Sequence, residues 1–292
     1  MKMHIDSIPR FSGRSSSWLL LFVLALASVQ TTAQELRYPV SIAVHPSGTV
    51  YLADRNLPGV WRLEGDVLSV FFQASKKSRT PLSAIRCLAL DSEGKLLAGD
   101  SSTRDVYRFD EKGTPQPLTA QGRALGQIRV PMDIVVGPEA DILVSDLETD
   151  RIVKVPAEGG HVEPFVSIRS PRGMFHDSQK QLWVISGRRL VRFSEAGEKE
   201  TIVEDGVFEF PQTVVVGEDG VVYVCDSYAA AIWRVVPGQD PEVWVRGDPL
   251  VHPVAMDRQE DRLLVVDPRA RAVFAIDAQG TVTRREARLA NP

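Results

Sequence analysis

Six times along this chain, a segment that starts near a proline runs through an apolar stretch and a turn. About fifteen residues later it closes on an aspartate or its stand-in. The units are PVSIAVHPSGTVYLAD from Pro39, IRCLALDSEGKLLAGD from Ile85, PMDIVVGPEADILVSD from Pro131, PRGMFHDSQKQLWVIS from Pro171, PQTVVVGEDGVVYVCD from Pro211 and PVAMDRQEDRLLVVD from Pro253. Their closing residues, Asp54, Asp100, Asp146, Ser186, Asp226 and Asp267, lie 46, 46, 40, 40 and 41 residues apart. A period of that size means one supersecondary unit used repeatedly, because a single unit cannot bury its own apolar face.

The alternation of Val40, Ile42 and Val44, a turn at Pro46-Ser47-Gly48, and a run from Val50 to Ala53 predict two strands in the first unit. Six residues beyond the closing residue, or fewer in repeat four, comes a third strand: VWRL at Val60, VYRF at Val106, IVKV at Ile152, LVRF at Leu190, IWRV at Ile232 and VFAI at Val273. One basic position among apolar ones suits a strand with a solvated side. A more variable fourth strand follows, such as VLSVFF from Val67, HVEPFV from His161 and TVTRR from Thr281. No helical period appears after the first thirty-odd residues. The expectation is an all-β chain, a six-bladed β-propeller of four-stranded antiparallel blades, which protects strand edges by radial repetition. Ring closure is left open between packing of blade one on blade six and pairing of residues 34 to 38 with the last blade.

Residues 1–33 read differently. Lys2, Arg10 and Arg14 precede the run WLLLFVLALASV, Trp18 to Val29, and small residues Thr31-Thr32-Ala33 follow. Twelve residues of helix span only about 18 Å, short of the ~30 Å hydrocarbon core. A cleaved signal peptide is expected, with residues 34–292 as a single propeller domain in a secreted or periplasmic protein; retention as an anchor is the alternative. No stable membrane insertion is expected after cleavage. The whole chain carries a net charge of −4, and the leader is basic, so the remainder is more acidic still and nucleic acid is not an expected partner. Cys87 and Cys225 sit in repeats two and five, on opposite sides of a six-fold ring, and should remain free thiols.

The pattern Pro-x-small-apolar-apolar-apolar, a Gly turn, then apolar-Tyr-apolar-x-Asp resembles the NHL-repeat propellers over residues 38 to about 285, and more distantly the regucalcin-like gluconolactonases. The resemblance implies a six-bladed fold that hosts lactonases, lyases and binding modules alike. Gluconolactonases are expected to place a Glu two residues before the first proline-like position, and Asn or Asp at later inner-strand starts. Here Arg37 stands at the first place, and Val40, Arg86, Met132, Arg172, Gln212 and Val254 follow the proline equivalents. Oxygen ligands for Ca²⁺ or Mg²⁺ are missing, so neither a metal nor a cofactor is expected. The chain has no GxSxG elbow, no Cys–His pair that the topology could join and no phosphate loop.

In propeller topology the closing aspartates and the proline-flanking residues share one face, the top. The recurring aspartates are expected to cap turns by accepting backbone N–H bonds. His45, His176, Asp91, Asp177 and Asp257 fall near the opposite strand ends and are not expected to join His252 at the top. Arginine is the top's distinguishing residue: Arg86 and Arg172 at channel-mouth positions, and Arg55, Arg188, Arg189 and Arg269 after closing residues. Their fork geometry suits carboxylate, phosphate or sulfate, although pairing with nearby carboxylates is the simpler role. The candidate ligand-binding set is Tyr38, Arg86, Asp133, Arg172, Arg188, Gln212, Tyr228 and His252, for an anionic small molecule, glycan or protein segment. No catalytic residue is assigned; a lactonase-like or lyase-like enzyme is the alternative reading.

Overall fold

The computed structural model describes residues 36–137 and 139–290. The expected signal segment, residues 1–33, lies outside the described residues. Six sheets of four antiparallel strands follow one another in chain order. Their inner strands are Pro39–Val44, Ile85–Leu90, Pro131–Val136, Pro171–His176, Pro211–Val216 and Ala255–Gln259. The second strands end on the closing residues Asp54, Asp100, Asp146, Ser186, Asp226 and Asp267. Apart from one 3-10 turn at Leu147–Thr149, all regular structure among the described residues is β. The protein is a six-bladed β-propeller.

Alternation along each strand gives two apolar faces per blade, and each face packs on a neighbouring blade. The core is therefore a ring of six layers between blades. One joins blades one and two through Ala53, Ile85 and Tyr107, and another joins blades two and three through Leu97, Ile134 and Val144. Met174 and Val184 join blade four to Leu143 of blade three, and Trp183, Val214 and Val224 join four to five. Cys225, Met256 and Phe274 join five to six, and Trp61, Leu264 and Val266 complete the ring from six to one. Cys87 and Cys225 are free and buried in separate layers, and burial pushes both thiols well up.

Ring closure uses a device that the repeats did not reveal. Arg288–Leu289 lies parallel to Val67–Leu68, adding a fifth strand to blade one. Arg288 N donates to Asp66 O at 2.6 Å, Ala290 N donates to Leu68 O at 2.9 Å, and the Arg288 guanidinium meets Asp66 Oδ2 at 2.6 Å. Arg285 reaches both sides of the seam, donating to Gln259 Oε1 of blade six and to Gly65 O of blade one. Leu289 joins the apolar layer between those blades. Ending the chain at residue 285 is expected to cost about 2–3 kcal/mol, from two backbone bonds and one partly buried leucine. The check is a fall of several degrees in Tm; an unchanged Tm would assign closure to blade packing alone.

Candidate functional site

The closing carboxylates knit the top face. All five aspartates are buried; Asp54, Asp100, Asp226 and Asp267 each join the segment entering their own inner strand to the loop leaving the second strand, whereas Asp146, among the described residues, accepts only from the entering segment, at Arg129 N and Val130 N. Asp54 accepts from Arg37 N, Tyr38 N, Asn56 N and Leu57 N. Asp100 accepts from Ala84 N, Thr103 N and Thr103 Oγ1. Asp226 accepts from Glu209 N at 2.7 Å, Phe210 N at 2.8 Å and Ala229 N at 3.3 Å. Asp267 accepts from Val251 N and His252 N, both at 2.7 Å, and from Arg269 N and Ala270 N at 3.0 and 2.9 Å. Ser186 reverses the pattern, donating to Arg169 O at 2.8 Å. With their lone pairs used this way, these carboxylates are architectural, and they set the positions of Tyr38 and His252.

Strand register explains why the second residue of each repeat reaches the mouth. In blades one to five the pairing of the inner strand slips just after its first residue. The residue left out of the ladder is Val40, Arg86, Met132 or Gln212 in four of these blades; in blade four the slip spans Arg172 and Gly173. Such a bulge re-aims a side chain away from the regular pleat. The channel inside the ring forms a cavity of about 460 Å³, lined among others by Tyr38, Arg55, Arg86, Asp133, Gln212 and His252.

Two arginines meet at one side of the mouth. Arg86 donates through Nε to Ser101 Oγ at 3.2 Å; burial and the neighbouring Arg55 charge lower its pKa. Across the ring, the Arg172 guanidinium lies 4.0 Å from the centroid of Phe210. Phe210 stacks on Tyr228 at 4.6 Å and 17°, and Tyr228 tilts against His252 at 5.8 Å. Tyr228 is 63% exposed, the most exposed large apolar side chain among the described residues. Burial and the nearby Arg269 lower the His252 pKa, against smaller opposing effects of Asp267 and the Ser227 backbone. Arg55, Arg86, Arg172 and Arg269 make no ion pair among the described residues, whereas Arg188 and Arg189 face Asp205 and Glu204 at 3.4 and 3.3 Å.

The predicted set thus divides. Tyr38, Arg86, Asp133, Gln212 and His252 line the cavity, and Arg172 and Tyr228 form a stack on its rim through Phe210. Arg188 stands apart, held by Phe208 O at 2.8 Å and Asp205. Phe210 was missed in the sequence, although an aromatic residue directly before the Pro211 repeat start was visible there.

Asp257 and His176, at the deeper strand ends, line the same open channel as His252. Asp133 accepts from Ile134 N at 2.9 Å and from Met174 N of the next blade at 2.7 Å; Asp257 accepts from Arg258 N at 2.7 Å and from Val44 N of blade one at 2.8 Å. Removal from bulk water raises Asp133 to about 7, with a smaller push from the Asp257 charge, and raises Asp257 to about 6. The backbone bonds oppose both shifts. Among the described residues, no group of three or more His, Cys, Asp or Glu is arranged to hold a metal ion.

No family model matches the chain, and no curated protein does. Solved structures match its fold. Virginiamycin B lyase from Staphylococcus aureus is 16% identical, with a TM-score of 0.65 over 86% of this chain and 85% of that one. A nidogen/laminin complex matches at 17% identity and a TM-score of 0.67, over 80% of this chain and 91% of that one. A gluconolactonase from Xanthomonas campestris matches at 13% identity and a TM-score of 0.66, over 83% and 86%. The chain therefore shares an architecture used by both enzymes and binding modules, and its chemistry has to be read from its own side chains.

Proposed function

We propose that this chain is an exported, NHL-like propeller that binds an anionic small molecule, glycan or protein segment at the mouth of its channel. One observation carries the reading: Arg55 and Arg86 line the top of the cavity and Arg172 lies against Phe210 at its rim, none of the three with a carboxylate partner among the described residues, whereas Arg188 and Arg189, away from the cavity, are paired. Unpaired guanidinium groups that are partly desolvated and set beside like charge favour an arriving anion. The Phe210–Tyr228–His252 stack supplies a flat, partly exposed surface beside them. The nidogen match is a propeller solved in a complex with laminin, which is compatible with a binding role on this scaffold.

The test is calorimetric titration with inorganic phosphate, sulfate, glucuronate and a sulfated oligosaccharide at low and moderate salt. At least one of these anions should bind. Arg86→Ala and Arg172→Ala should each weaken it about 10- to 100-fold, the worth of a charge-assisted hydrogen bond. Arg234→Ala, which removes a guanidinium paired with Glu242 on an outer strand, should not weaken it. Unchanged affinity in both mouth variants would remove the arginines from the site.

A lyase-like or lactonase-like enzyme is the second reading, and one observation favours it: Asp133, raised to about 7, shares the cavity with two histidines whose pKa values are lowered. Such groups can exchange protons near neutral pH. Turnover of a lactone panel that disappears in Asp133→Asn would replace the binding-only reading.

A further inference from the structure

Charge changes sign along the channel. Each residue of an inner strand advances about 3.3 Å. Asp133 therefore stands roughly one residue below the level of Arg86, and Asp257 about three residues, or ~10 Å, below it. Neither aspartate makes an ion pair among the described residues, and the accepting bonds given above leave each with about half the acceptor capacity of a carboxylate. Two carboxylates from blades three and six thus face one channel with bonding capacity to spare. Buried polar groups left in that condition carry a desolvation cost that a suitable ligand relieves.

We propose that the channel takes a two-ended ligand, with its anionic group at the Arg55–Arg86 mouth and a protonated amine up to about 10 Å deeper, at Asp257 and below Asp133. This rests on the anion-binding reading of the mouth and narrows it to zwitterionic ligands. The wall between the two levels suits the linking part of such a ligand, since the partly exposed Met132, Val135 and Val254 supply apolar surface. The cavity, about 460 Å³, lies within the usual range of small-molecule sites, about 300–1,000 Å³. A wholly anionic ligand of this length would be repelled at depth. A wholly cationic one would be repelled at the mouth. An ammonium group below Asp133 and against Asp257 would offset the loss of hydration that, with a smaller push from the Asp257 charge, raises Asp133. The other titratable or charged groups on the cavity wall are Tyr38, Arg55, Arg86, His176 and His252.

The probe is 8-aminooctanoate, whose extended chain is about as long as the gap between the two levels, compared with octanoate by calorimetry at pH 7. The amino acid should bind at least tenfold more tightly than octanoate. Its binding should release a fraction of a proton, seen as a dependence of the binding heat on the buffer, because the incoming amine ionises Asp133. Asp257→Asn should remove the preference while leaving octanoate binding in place, and Arg86→Ala should weaken both ligands. Equal or tighter binding of octanoate by the unaltered protein overturns the two-ended ligand and leaves the anionic mouth standing. Failure of both chains to bind, with phosphate or glucuronate still bound, has the same meaning. Failure of every anion tested removes the mouth as well.

Discussion

Asp267→Ala is expected to cost about 3–5 kcal/mol of stability, a loss matched among the closing residues only by Asp54→Ala, which strands the same number of backbone donors. The carboxylate is fully buried and accepts four backbone N–H bonds, two from the segment entering blade six and two from the loop after its second strand. Alanine would strand those donors where water enters poorly, and each unmet buried donor costs about 1–3 kcal/mol before relaxation. Denaturant unfolding measures the loss. Because Val251 and His252 hang from the same oxygen, His252 should also shift, visible as a change in its imidazole titration. A loss below about 1 kcal/mol would mean that solvent already reaches these amides. Asp226→Ala, with three such bonds, should follow at a somewhat smaller cost and loosen Phe210 from Tyr228.

The second large effect is a dependence of stability on pH that runs opposite to common acid denaturation. Asp133 and Asp257 are raised in the folded chain to about 7 and about 6, from an ordinary value of 3.8. A raised carboxylate favours the fold while protonated. Its contribution is fully present below pH 3.8 and is lost as pH climbs through 6 and 7. Together the two should remove on the order of 3 kcal/mol between pH 4 and pH 8, allowing for screening by water in the open channel. His176 and His252 act in the other direction, since their lowered values mean that their contribution disappears as pH falls below 6.5. The carboxylate effect is isolated by comparison with Asp257→Asn, which should flatten the slope between pH 5 and 7. Carbon-detected NMR of the Asp133 carboxyl should show a midpoint near 7 that moves down in Asp257→Asn. A midpoint near 4 would remove the inverted pH dependence assigned to Asp133 and the proton release expected on binding an amine.

Much of the architecture was legible before any fold was known, for identifiable reasons. The blade count followed from spacing, because every blade must bury the same two faces and so repeats the same apolar alternation. The capping role of the aspartates followed from their position at a strand end before a turn, where a short carboxylate has amides within reach. The mouth arginines followed from their offset to the repeat start. That an offset of one residue falls on a bulge was not legible, since register shifts arise from pairing between strands.

Arg188 shows the limit of offset reasoning. It follows a closing residue as Arg55 does, yet the two-residue connection of blade four, Gly187 and Arg188, leaves it beside Phe208 and Asp205 instead of at the cavity. Asp257 shows the converse. Its distance along the strand keeps it below the mouth, while a channel open along its length still connects both levels, a continuity that offsets along the chain do not give.

The sequence alone determined the number of blades, the order of strands within them, the closing residues and the excess of arginine on one face, all of which depend on neighbours a few residues apart. Only the tertiary structure decided that Arg288–Leu289 fastens blade one, that Phe210 lies between Arg172 and Tyr228, and that Asp133 and Asp257 share a channel with His176. These juxtapositions join positions tens to hundreds of residues apart. They exist because closure of the ring turns every inner strand toward a common axis, a relation that local periodicity does not encode.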